Sequence, residues 1–150
     1  MLRCLIVAMF LFGMLGCKGV QPSDVTGTWV MTEQSRKALP PEFQKAMGKI
    51  VVNTDGTFTA SELPEGLHPV PPYDMKLRMR LDSGTGVWKL APWEGAQHVQ
   101  LVFHNLVGTN EPNPNSYGFP LTVSRGWSSV ILDYALGDPD DGNRVQFERK

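Results

Sequence analysis

The chain is poor in the groups that most often announce a chemistry. It has two cysteines, Cys4 and Cys17, and Cys4 lies inside an apolar N-terminal run. Once that run is removed no second thiol remains, which excludes an internal disulfide and a cysteine pair for metal or redox work. No serine sits in a Gly-x-Ser-x-Gly elbow, and no catalytic carboxylate pair can be picked out, so the chain is expected not to be an enzyme. Charge of one sign is also lacking. Without Arg3 the chain keeps thirteen basic against fifteen acidic residues, a net charge of −2 that gives no electrostatic footprint for nucleic acid. Histidines are few: His98 and His104 share strand parity, but six residues at about 3.3 Å each separate them by about 20 Å, and His68 lies among prolines. The acidic turn over residues 138–143 misplaces its glycine for a calcium loop of the EF-hand type and lacks the distal carboxylate. No metal and no cofactor are expected.

What is present begins with a leader. Met1-Leu2-Arg3 gives a positive start, and residues 4–16 are almost wholly apolar, a length that suits a signal peptide and falls short of a membrane span. Met14-Leu15-Gly16-Cys17 resembles the lipobox of bacterial lipoproteins, departing at Met14, where the family usually has leucine. The resemblance implies removal of residues 1–16, acylation of Cys17, and a membrane partner engaged through that N-terminal lipid. Acyl chains contribute about 0.8 kcal/mol per buried CH₂, so two or three of them hold a protein on a bilayer without a transmembrane helix. Lys18 at the next position leans, by the same resemblance, towards the outer membrane facing the periplasm where the host has one. An ordinary cleavable leader is the alternative, and it leaves Cys17 without a role. Residues 17–23 then form the lipidated cysteine and tether, and residues 24–150 one domain.

The domain reads mostly with period two. Val25, Gly27, Trp29 and Met31 share one face of a first strand. Residues 33–47 break the rhythm: Leu39, Phe43 and Met47 recur every four positions, which predicts a short helix with Pro41 in its first turn and Gly48 to end it. Strands return at residues 49–52 and 57–60 around Asn53-Thr54-Asp55-Gly56, a hairpin signal. Residues 63–73 hold four prolines and read as loop. Met75, Leu77, Met79 and Leu81 then alternate with Lys76, Arg78 and Arg80. A turn at Asp82-Ser83-Gly84, a strand over 86–90, a turn at Pro92-Trp93-Glu94-Gly95, a strand through Val99, Leu101 and Phe103, a loop over 105–118 and three closing strands complete the pattern. Eight or nine short strands joined in order predict an all-β, antiparallel up-and-down meander closed into a barrel, with a β-sandwich as the alternative.

Gly27-Thr28-Trp29 in the first strand resembles the Gly-x-Trp signature of lipocalins and their relatives. The resemblance implies that Trp29 plugs the closed end of the barrel under an arginine from the last strand, here Arg149; the family's Thr-Asp-Tyr turn, disulfides and terminal helix are missing. A regular meander puts residues 33–47 and 63–73 at one end, where Phe43, Leu67, Val70 and Tyr73 would line the mouth of a site for a small apolar or amphipathic ligand. Lys76, Arg78 and Arg80, at steps of about 6.6 Å, could instead meet lipid headgroups or an acidic partner, or simply form a solvated face. Trp88, Trp93 and Trp127 read as core or turn packing. Two functions follow: a lipid-anchored ligand carrier, or an envelope interaction protein with a filled core that acts through an exposed face. The volume inside the barrel separates them.

Overall fold

The computed structural model describes residues 19–64, 80–93, 95–107, 118–126, 129–136, 140 and 142–150. A short helix α1 (Pro22–Val25) leads into strand β1 (Gly27–Met31), followed by helix α2 (Glu33–Ala38) and a single 3-10 turn over Pro41–Phe43. Seven more strands follow: β2 (Lys49–Val52), β3 (Thr57–Pro64), β4 (Leu81–Trp93), β5 (Ala96–Val107), β6 (Gly118–Arg125), β7 (Val130–Ala135) and β8 (Arg144–Arg149). Each strand pairs antiparallel with the next, and β8 returns to β1 with Trp29 opposite Arg149 and Met31 opposite Phe147. The fold is therefore a closed eight-stranded up-and-down barrel, which leaves no sheet edge and has an interior about as wide as its own side chains.

Period-two alternation decides what faces inward. Trp29 and Met31, Ile50 and Val52, Phe58 and Ala60, Val99, Leu101 and Phe103, Leu121 and Val123, Leu132 and Tyr134, and Val145 and Phe147 are all buried. One end of the barrel, the lower, carries α1 and the tight turns. The other collects residues 32–48 and the ends of β3, β5 and β7. The β2–β3 turn is drawn tight by Gly56 at φ 85° and by Asp55, whose carboxylate accepts from the Thr57 amide at 2.9 Å and the Thr57 hydroxyl at 2.6 Å. Those two bonds hold the Asp55 carboxyl below its ordinary range.

Three sequence expectations change. The helix expected within residues 33–47 covers only residues 33–38 and ends before Pro41, which was expected in its first turn. Thr32 caps it through its hydroxyl, and it ends at the extended pair Leu39 and Pro40, because a residue before proline avoids the helical region. Leu39 is buried, yet Met47 is 54% exposed, so the four-residue spacing was not one buried face. Gly48 ends no helix; it sits at φ 53° against Met31, where an added Cβ would lie 2.6 Å from the Met31 Cβ. The expected turn at Asp82-Ser83-Gly84 is instead the beginning of one 13-residue strand, β4.

The glycines of β4 are there for closeness, not for turning. At Gly86 an added Cβ would lie 2.0 Å from the Val102 carbonyl oxygen and 2.9 Å from the Phe58 ring. At Gly84 it would lie 2.0 Å from the Asn105 carbonyl oxygen and 2.9 Å from the Phe103 ring. The β4–β5 register slips between Thr85 and Gly86, and the two strands and two rings crowd together there. A second irregularity, between Ala60 and Leu63, puts Glu62 at φ 52°. Its carboxylate accepts from the Met47 amide at 2.6 Å and its own amide donates to the Ser83 hydroxyl at 2.9 Å, so the bulge ties residues 33–48 to the rim.

Candidate functional site

Beginning at the lower end, Trp29 is completely buried and its indole N–H donates to the Val25 carbonyl at 2.7 Å. The Arg149 guanidinium lies over the indole, 5.3 Å from the ring centroid, and donates to the carbonyls of Ser23, Asp24 and Thr26. One cation thus joins the plug to the last carbonyls of α1 and the turn that follows it. Gly27 beside it holds φ 131°, a backbone angle that favours glycine; an added Cβ there would reach only ordinary contact with the Arg149 Nε, at 3.4 Å. An ion pair between Arg125 and Asp24 fixes α1 to the β6–β7 turn. The folded part starts at Pro22, ahead of the expected boundary at Asp24, and Val20 already packs on the core.

Above Trp29, aromatic side chains of the described residues meet inside the barrel. Phe58 and Phe103 meet edge to face at 4.9 Å, Phe119 and Tyr134 at 4.5 Å, and Tyr134 and Phe147 stack at 6.1 Å. The Tyr134 hydroxyl, on β7, donates to the Pro64 carbonyl at the end of β3. Those strands are four places apart in a ring of eight, so the bond crosses the full diameter of the upper barrel.

Of the four residues expected to line an apolar mouth, Phe43 is half-buried and packs against the core. Leu67, Val70 and Tyr73 lie outside the described residues, as do Lys76 and Arg78 of the basic stripe. Arg80 is half-buried and engaged by protein groups. Cys17 also lies outside the described residues. Among the described residues two carboxylates are buried. Asp82 lies on the lumen-facing row of β4 with Gly84 and Gly86 and is engaged by protein groups. Asp133 faces outward, paired with Arg144 and accepting from the Ser124 hydroxyl at 3.3 Å. Among the described residues no three His, Cys, Asp or Glu side chains gather as a metal site.

The outer wall supplies a feature the sequence reading missed. Trp93, 55% exposed, lies beside His98 with 5.5 Å between ring centroids and 55° between their planes. The two rings open onto a groove of about 450 Å³ that continues past Gln100 and Pro120 to Gly118. The signal was readable: taking Glu94-Gly95 as a two-residue hairpin turn sets Trp93 opposite Ala96 and hence Ala91 opposite His98, the observed register. Reading Pro92 to Gly95 as one turn hid it. Another cleft on the outside, of about 790 Å³ beside β1, is lined by mixed charges, with Arg36, Lys45 and Lys49 near Glu33 and Glu148. Comparison with protein-family models, curated proteins and solved structures finds no match to this chain, so its function is argued from its own geometry.

Proposed function

We propose that this is a lipid-anchored binding module of the cell envelope whose barrel is a filled scaffold and whose outer wall makes the contacts. The observation that carries this reading is the bond from Tyr134 to Pro64 across the barrel, above a lumen already occupied by Phe58, Phe103, Phe119 and Phe147. A carrier for a fatty acid-sized ligand would have to part that bond and displace those rings, and dense interiors resist such rearrangement. The carrier reading is therefore the weaker of the two functions.

The anchoring half rests on the leader and the resemblance at Cys17. Four residues, 18–21, separate Cys17 from α1 and span at most about 14 Å when extended. A short tether attached at the lower end would hold that end near the bilayer and turn the upper end away from it.

A Cys17→Ser chain, free of acyl groups but retaining the α1 cap, tests the proposal. Native mass spectrometry is expected to give the apoprotein mass before and after incubation with fatty acids and phospholipids. A stoichiometric adduct lost on denaturation would return the protein to the carrier reading. In cell fractionation the parent chain is expected with membranes and the Cys17→Ser chain in the soluble fraction; a soluble parent chain would overturn the anchor.

A further inference from the structure

The groove beside Trp93 has a composition that selects a ligand class. Among the described residues its lining side chains include no Asp, Glu, Lys or Arg. It offers one broad aromatic face, an imidazole and an amide. His98 Nδ1 is out of contact with solvent and meets no protein donor or acceptor. A bare buried acceptor is tolerated better than a bare buried N–H, so Nε2 is the ring nitrogen placed to donate. Gln100 adds both a donor and an acceptor.

From these features we infer that the groove binds a neutral glycan, with one sugar ring stacked on Trp93 and its hydroxyls bonded by His98 and Gln100. This deepens the proposal that the outer wall is the working surface, and rests on it. A pyranose has what the groove lacks: an apolar face of C–H groups whose weak positive charge suits the negative face of an indole, and a rim of hydroxyls able to donate and accept. The Trp93 and His98 rings, tilted 55° to one another, both line the groove. On the next strand Thr122 stands in register with His98 and adds a hydroxyl beside the groove.

Two other occupants fit less well. A proline-rich peptide uses successive aromatic ridges, and the groove has one indole. A bilayer lying under the lower rim would meet Trp93 at the hairpin tip, but the groove climbs to Gly118, which pairs with Val102 part-way up the wall.

The test is a titration of the ¹⁵N-labelled Cys17→Ser chain with neutral tetrasaccharides of glucose, mannose and N-acetylglucosamine at up to about 10 mM, the range of weak single-site binding. At least one is expected to shift the Trp93 indole N–H and the amides of His98 and Gln100. Trp93→Ala is expected to weaken binding about tenfold or more while the melting temperature stays put, and Trp93→Tyr to restore part of it. No shift with any tetrasaccharide, or shifts indifferent to Trp93→Ala, would overturn the glycan inference. Shifts of the same residues by a proline-rich peptide or by zwitterionic vesicles, with none from sugars, would overturn it and leave the outer-wall reading standing. Saturating shifts of Leu101, Phe103 and Leu121 by a fatty acid would overturn the outer-wall reading itself.

Discussion

On β5 the same strand presents two unlike surfaces. Val99, Leu101 and Phe103 point into the barrel and are almost wholly buried, while His98, Gln100, Val102 and His104, one position out of step, remain at least partly open to solvent. The inner row is made of shapes that fill space, and the outer row of groups that can still form bonds. On the function proposed above, stability belongs to one face of the sheet and recognition to the other, so a substitution on either face should disturb one property and spare the other.

The largest effect is expected from the inner face. Trp29→Ala removes a fully buried indole together with its bond to Val25 and the surface on which Arg149 rests, and should cost about 3–5 kcal/mol in chemical denaturation. Gly86→Ala comes next, at about 2–4 kcal/mol, because the new methyl group meets the Val102 carbonyl and the Phe58 ring. A tolerated Gly86→Ala would show that β4 and β5 can separate there, and would weaken the case for a tightly filled lumen. Tyr134→Phe keeps the ring and removes the bond across the barrel; it should cost about 1–3 kcal/mol and create no affinity for fatty acids. On the outer face Trp93→Ala should change stability by less than about 0.5 kcal/mol.

The smallest effect concerns pH. The two bonds from Thr57 hold the Asp55 carboxyl below 3.8, its ordinary value, so the native turn favours the charged form. That contribution is present in full above the unfolded-state value and is lost as pH falls through the lower folded-state value. The stability difference between the parent chain and Asp55→Asn should therefore shrink on acidification below about pH 4, as followed by denaturant midpoints at a series of pH values. A difference that is flat across that range would mean that Asp55 does not titrate with folding.

Much of this arrangement was legible in the sequence where a local rule and the tertiary structure agree. Asn53 to Gly56 gave the β2–β3 hairpin, alternation through Trp29 and Met31 gave the wall of β1, and the count of short strands gave a closed meander. Rules failed where distant contacts decide. The path of residues 33–48 is set by Arg36, which donates from its side chain to the carbonyls of Met31 and Ala46, by the Gln44 amide on the Leu39 carbonyl, and by Glu62 on the Met47 amide. None of these is written as a period. Gly84 looked like a turn residue because a sequence does not show that another strand needs the space of a side chain. The groove at Trp93 was missed for a related reason, since its parts come from three strands and meet only once the hairpin register is fixed.

The central claim is that the inside of the barrel is structural and the outside does the work. Methyl NMR of the Cys17→Ser chain under xenon pressure and in a fatty acid titration examines it directly, because xenon enters dry apolar cavities and a fatty acid enters a larger one. The account predicts that the methyl signals of Val99, Leu101, Leu121 and Leu132 stay where they are under both probes. Saturable shifts of those inner methyls, with the outer residues His98 and Gln100 unmoved, would contradict it.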